Sequence, residues 1–439
     1  MRPLGLTGYH WLVLAAAWLG WGFDVFDALL FNFVAPNAVP TLLGLPLGSP
    51  EARQATLFWT GVLTSILLVG WAAGGLIFGW FADRYGRKRA LFVTISIYAV
   101  GTALCAAATD MWQLVAFRVV ASLGIGGEWA VGAALVAETV PQERRVEAGT
   151  IVYTSSPLGI ILASTVNYHV AGVWFADDPA SSWRYVFLCG LAPVLVALLV
   201  RVFIRESETW TTKVRHAAPP SLRELFRGDM LRYTLSGLIT AITALLTWWA
   251  CNAFLPTLGS TLAAEHAAQT GLLPEAARML GETWKSQASN SFNFGGLLGA
   301  LAAIPLARFV GRRAMFVAYF LYSAAMLFST FGLDLTPEAR MRMLFFVGIG
   351  VYGVFSTFVF YLPELFPARL RATGAGLCYN FGRVIAAIGP FVVGSVSAAA
   401  GGSSAVIIRT LFWLGAVPLV TALAARFVVV ETRGRGLPS

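Results

Sequence analysis

An all-α membrane protein, with twelve transmembrane helices in two pseudo-symmetric six-helix bundles, is predicted by three features of the sequence. The 439 residues are 57% hydrophobic and only 12% charged, with a mean hydropathy of +0.71; an ordinary soluble domain is roughly 45–50% apolar. Apolar stretches of roughly 20 residues, each long enough to cross ~30 Å of hydrocarbon, recur along the whole length, and a helix satisfies its own backbone hydrogen bonds there. The chain also repeats itself: Trp59, Gly70, Gly74, Gly86 and Arg87 return as Trp284, Gly295, Gly299, Gly311 and Arg312, each displaced by 225 positions. A membrane protein built from such repeats puts its binding site near mid-membrane, where the copies meet.

The spans follow in order. The first is predicted from about Trp11 to Ala35, the second from Thr56 to Phe81, the third from Ala90 to Ala108 and the fourth from Trp112 to Val140. The fifth runs from about Gly149 to Val173 and the sixth from Trp183 to Ile204, closing a first bundle over residues 1–204. Residues 205–232 change character: six arginines and lysines with the Pro219-Pro220 pair read as a basic cytoplasmic linker. A second bundle over 233–439 holds span 7 (about Tyr233 to Leu258), span 8 (Trp284 to Ala307), span 9 (Ala314 to Gly332), span 10 (Met343 to Leu362), span 11 (Ala372 to Ala399) and span 12 (Ile407 to Val430). Part of the segment between spans 7 and 8 is expected to be an external amphipathic helix.

The net charge of +9 does not indicate nucleic acid, because Lys and Arg collect in alternate loops at 84–89, 144–145, 205–232, 308–313 and 369–371. That alternation marks the cytoplasmic side and places both termini there. Cys105, Cys189, Cys251 and Cys378 all fall inside apolar spans without a close pair, so neither a disulfide framework nor a zinc site is indicated. No metal, cofactor or ATP-binding loop is read from the sequence, and the first apolar run lacks the cleavage site of a signal peptide. His10, His169, His216 and His266 are given no role.

Several motifs carry a family resemblance over essentially the full chain. Gly79 to Arg89 reads GWFADRYGRKR; Glu138-x-x-Pro141-x-x-x-Arg145 recurs as Glu364-x-x-Pro367-x-x-x-Arg371; Glu206 is echoed by Glu431. These resemble the major facilitator superfamily and, within it, the sugar-porter-like branch. Phe23-Asp24-x-x-Asp27, Gly126-Gly127-Glu128-Trp129 and Cys378-Tyr-Asn-Phe-Gly-Arg383 most resemble its proton symporters of lactate, sialate and related organic acids. The resemblance implies the major facilitator fold and a monomeric multi-pass protein of a bacterial inner membrane, in contact with lipid. It further implies a transporter rather than an enzyme, moving a small organic anion, such as the monocarboxylate lactate, with a proton. Rival readings are a neutral sugar:proton symporter and a membrane sensor that does not transport.

The residues that carry this chemistry are isolated charges in apolar spans, where an ionisable group is functional by default. Asp24 and Asp27 lie three apart on nearly one face of span 1. Either is a candidate proton carrier, with Arg118 of span 4 answering its protonation; a permanent Asp–Arg118 pair is the structural alternative. Glu128, after two glycines, is a further candidate or a polar contact between helices. Arg383 is the best anion anchor, because a guanidinium offers a planar fork of donors suited to a carboxylate; a buried partner for Glu364 or Glu128, or snorkelling to an interface, is its structural alternative. Asn380 and Tyr379 beside it, Trp248, Trp249 and Asn252 in span 7 (Trp249 and Asn252 matching Asp24 and Asp27 at an offset of 225), Asn290, Asn293, Tyr153 and Tyr361 are weaker substrate candidates. Asp83, Arg84, Gly86 and Arg87 read as a cytoplasmic latch, with Glu138, Arg145, Glu364 and Arg371 as its partners in the other loops. Arg308 stands where Asp83 has its second-copy match, so the second latch is weaker or rebuilt from Glu364 and Arg371.

Overall fold

The computed structural model describes residues 6–141, 144–191, 222–367, 370–401 and 403–433, together with 195 and 203. Their regular structure is helical throughout. The amino-terminal half runs α1 (Gly8–Leu43), α2 (Pro50–Tyr85), α3 (Arg87–Ala107), α4 (Met111–Thr139), α5 (Arg145–Tyr153), α6 (Ser155–His169) and α7 (Pro179–Cys189). The carboxyl-terminal half runs α8 (Gly228–Thr270), α9 (Pro274–Phe309), α10 (Arg312–Gly332), α11 (Pro337–Val351), α12 (Phe358–Leu365), α13 (Arg371–Ala386), α14 (Ile388–Ala399), α15 (Ser404–Leu414) and α16 (Ala416–Val428). Taking α5 with α6, α11 with α12, α13 with α14 and α15 with α16, ten stretches among the described residues are long and apolar enough to cross a bilayer. α4 and α7 occupy the places of the other two predicted spans; most of span 6 beyond Leu191 and residues 205–221 of the linker lie outside the described residues.

Three broken spans share one cause. α5 ends at Tyr153, α13 at Ala386 and α15 at Leu414, each four residues before a proline, Pro157, Pro390 and Pro418 respectively. Proline has no N–H for the carbonyl four positions back, so the helical ladder is interrupted there. Side chains of neighbouring helices bond beside two of the breaks. Trp18 Nε1 donates to Thr154 Oγ1 at 3.1 Å beside the first, and Ser65 Oγ lies 2.7 Å from the Ala387 carbonyl at the second.

The segment between spans 7 and 8 departs from expectation. No separate amphipathic helix forms there, because α8 continues unbroken to Thr270 and α9 starts at Pro274. The residues that could end α8 come late: Gly271 caps it in the left-handed region at φ 65, and Pro274 then opens α9 at its first turn. α8 also begins at Gly228, inside the segment read as linker.

Three of the repeated glycines, Gly74, Gly295 and Gly299, are close backbone contacts. On α2 a Cβ at Gly74 would sit 2.1 Å from the Leu123 carbonyl oxygen of α4, and on α9 a Cβ at Gly299 would sit 2.1 Å from the Ile349 carbonyl oxygen of α11. Gly295 is tighter, at 1.8 Å from the Phe345 oxygen. Only glycine lets the two pairs of helix backbones approach this closely. Gly86 and Gly311 turn the chain between α2 and α3 and between α9 and α10, with φ of 104 and 90.

Candidate functional site

A small cavity lies between the two halves. α1 supplies Trp21 and Val25, α2 supplies Trp71, and the break between α5 and α6 presents Tyr153 and Ser156. From the other half come Leu245, Trp248 and Trp249 of α8, Phe355 of the 3₁₀ turn Gly353–Thr357, and Tyr379 and Arg383 of α13. The wall is aromatic, with one cation and no carboxylate among the lining residues. Arg383 is 2% exposed, its guanidinium carbon 4.5 Å from the Trp71 ring and 4.7 Å from that of Tyr379. It donates to Asn380 Oδ1 at 2.9 Å and to the Tyr379 hydroxyl, which also shares a hydrogen bond with Tyr153. Asp24, one turn from the lining residue Trp21, acts on Arg383 electrostatically.

Both α1 acids are buried. Asp27 accepts from Thr102 Oγ1 at 2.7 Å, and its second oxygen lies 3.7 Å from Arg118 Nη1. Arg118 also donates to the main-chain oxygens of Asp27 (3.3 Å) and Ala28 (2.8 Å), so the guanidinium that faces Asp27 grips the α1 backbone as well. Asp27, Thr102 and Arg118 therefore form one charged knot inside the amino-terminal half.

The other sequence candidates are dispersed. Tyr361 lies away from the cavity: its hydroxyl pairs with Ser236 Oγ at 2.6 Å and with the Val430 carbonyl at 3.0 Å. Phe355, of the 3₁₀ turn ahead of it, lines the cavity. Asn293 donates to Ser289 on its own helix at 2.8 Å, and Asn252 is buried with no acceptor for its amide among the described residues; neither lines the cavity. The side chains of Asp83, Arg84, Arg87, Glu128, Glu138, Arg145 and Arg371 lie outside the described residues.

At the cytoplasmic end of the carboxyl-terminal half, Glu364 takes two bonds from Arg312, at 2.7 and 3.1 Å, and one from Thr432. Glu431 accepts from the Arg312 and Arg313 backbone N–H groups, both at 3.0 Å, and from Arg433 N at 2.9 Å. Desolvation pushes the Glu431 carboxyl up, but these N–H bonds at the head of α10 outweigh it and hold the group below the usual carboxylate range.

One cluster was not singled out from the sequence. Outward of the cavity, Glu282 and Lys285 of α9 form a buried pair at 2.8 Å. Each also reaches across to the other half: Asn167 Nδ2 donates to Glu282 at 3.0 Å, and Lys285 Nζ donates to the Phe33 carbonyl of α1 at 3.1 Å. Two opposite charges one turn apart at the mouth of a span were the available signal. Closer in, Ser156 Oγ meets Tyr352 Oη at 2.5 Å, again between halves.

Repeated helix bundles closing on a mid-membrane cavity, with a buried cation at its wall, define a multi-pass membrane transporter. The chain belongs to the Major Facilitator Superfamily, whose family model matches residues 11–390. It is 27% identical to the niacin transporter NiaP of Acinetobacter baylyi over 100% of this chain and 98% of the relative. It is 26% identical to the sialic acid transporter NanX of Escherichia coli, covering 84% of this chain and 83% of that one. The crystal structure of a D-xylose-proton symporter superposes with a TM-score of 0.73 at 18% identity, over 98% of this chain and 100% of that one, a likeness of fold. Homologues of this family are transporters and not enzymes.

Proposed function

We propose that the protein moves a small organic monocarboxylate together with a proton by alternating access, with Arg383 holding the carboxylate and an α1 aspartate the proton. The observation that carries this reading is Arg383 itself, the one charged group among the described residues of a buried cavity wall that is otherwise aromatic and aliphatic but for Ser156. A buried cation is costly unless an anion answers it. Asp24 acts on Arg383 from the opposite half. If a substrate carboxylate takes over that role, the site gains one negative charge, and a proton on Asp24 or Asp27 returns it to neutrality. A neutral sugar supplies no such partner. Niacin and sialic acid, for which the two relatives are named, are both carboxylic acids.

Reconstitution tests the reading. In proteoliposomes, counterflow of a labelled carboxylate distinguishes a carrier from a sensor. Arg383→Ala is expected to weaken carboxylate binding about 100-fold, the scale of a lost buried ion pair. Asp24→Asn and Asp27→Asn are measured separately: the carrier's variant loses accumulation driven by a pH gradient while keeping counterflow. Full gradient-driven accumulation in both variants removes proton coupling from the reading, and unchanged affinity in Arg383→Ala removes the anchor.

A further inference from the structure

The cavity is bounded by a closed circuit of six aromatic rings. Going round it, ring centroids are 5.9 Å apart for Trp21 and Trp71, 5.8 Å for Trp71 and Trp249, 4.7 Å for Trp249 and Trp248, and 5.7 Å for Trp248 and Phe355. Phe355 and Tyr153 then lie 6.4 Å apart and nearly parallel, and Tyr153 returns to Trp21 at 6.4 Å. Three rings come from each half, so the circuit is complete only when the halves are together.

Its hydrogen-bonding character is one-sided. Among the hydroxyls on the wall, Ser156 is engaged with Tyr352, and Tyr153 with Tyr379. The indole N–H groups of Trp71 and Trp248 are buried with no acceptor among the described residues. With the Arg383 guanidinium, the wall therefore offers donors. A ligand that fits brings acceptors and flat π faces; a polyol would bring hydroxyl donors to a wall with few acceptors, each left unmade at a cost. A saturated chain would forgo ring-to-ring contact.

We propose that the substrate is a planar, unsaturated monocarboxylate, an aromatic or conjugated acid with a second acceptor such as a ring nitrogen or ring oxygen, held between the rings with its carboxylate on Arg383. This rests on the reading that the cavity takes a carboxylate, and it narrows that reading from small acids in general, lactate included, to flat ones. Trp71 serves twice, under the Arg383 guanidinium and as a member of the circuit.

The test uses the full chain in nanodiscs with labelled benzoate as probe, and nicotinate, cyclohexanecarboxylate, lactate, gluconate and xylose as competitors. Nicotinate is expected to compete at least as well as benzoate, cyclohexanecarboxylate about tenfold less well because it has the size but not the flat face, and lactate and gluconate less again. Trp248→Phe keeps an aromatic ring but removes the N–H, so it should weaken nicotinate more than benzoate. Trp248→Leu should weaken benzoate about tenfold and cyclohexanecarboxylate little; if that variant does not fold, Phe355→Leu asks the same question from the other side of the circuit. Equal competition by lactate or cyclohexanecarboxylate, abolished by Arg383→Ala, overturns the planar class and leaves the carboxylate reading standing. Binding of xylose with no binding of any carboxylate overturns both.

Discussion

Gly74 and Gly299 occupy matching places in the repeat and do the same thing, each meeting a helix carbonyl that a Cβ would strike at 2.1 Å. Asp24 and Trp249, or Asp27 and Asn252, also occupy matching places and do different things. The first copy has an acid on α1 where the second has a ring or an amide on α8, and the second copy alone has the buried cation of α13. Towards the outside the same split appears, with Thr60 and Leu57 of α2 standing where α9 has Lys285 and Glu282. The copies agree where backbones touch, because no side chain substitutes for that closeness, and they part where charge meets the path between the halves. The amino-terminal half carries the two buried acids of α1 and the carboxyl-terminal half the buried Arg383, so neither lines the whole cavity alone.

The largest expected effect lies in the unmatched pair. Lys285→Met leaves Glu282 buried beside Asn167 without its cation, and breaking such a pair costs about 3–5 kcal/mol. The double variant Glu282→Gln with Lys285→Met should recover most of that in a thermal unfolding assay; equal loss in the single and double variants would mean that the charges matter for packing alone. Next comes the matched pair. Gly74→Ala and Gly299→Ala should each destabilise by about 3 kcal/mol, the upper end for overpacking, whereas Gly376→Ala, with nothing within 4 Å of its added Cβ, should not. A large difference between Gly74→Ala and Gly299→Ala would break the claim that the scaffold is symmetric.

How much of this was legible in the sequence depends on the range over which each feature acts. Spans and repeat were readable because hydropathy and glycine spacing are local signals, and the burial of Asp24, Asp27, Arg118 and Arg383 followed from their place in apolar runs. The aromatic circuit was not readable, since its members run from Trp21 to Phe355 and meet only in three dimensions. The bond from Lys285 to the Phe33 carbonyl joins residues 252 positions apart, and a main-chain acceptor leaves no mark in the sequence. The surroundings of Tyr361, whose hydroxyl meets Ser236 of α8 and the Val430 carbonyl, likewise join residues far apart in the chain. The long α8 was missed because an apolar pattern fades near the membrane surface while the helix goes on until Gly271.

A smaller effect is expected at the outer seam when its ion pair is left intact. Asn167→Ala removes one cross-half donor to Glu282 but not the Lys285 pairing, which should cost about 1 kcal/mol. The loss falls on the closed seam alone. A cysteine placed at Ser286, itself 8% exposed, should therefore react several-fold faster with an impermeant thiol reagent when Asn167 is replaced. An unchanged rate would show that the seam does not limit access from outside.

The smallest effect is expected at Glu431, and its sign is fixed by pH. Backbone N–H groups hold this carboxyl below its ordinary value despite partial desolvation, so its ionised form favours the folded state. That contribution is present above the unfolded-state value, about 4.3 for a glutamate, and fades as pH falls through the lower folded value. Glu431→Gln should therefore lower the melting temperature at pH 7 by a few degrees and converge on the unsubstituted protein as pH falls below the folded carboxyl's value. A gap that stays constant across that range would place the contribution in shape rather than charge. Gly311→Ala is the companion measurement: its Cβ would meet Glu431 Oε2 at 2.8 Å, and φ 90 disfavours any side chain there, so it should displace the carboxylate from α10 and flatten the same pH profile.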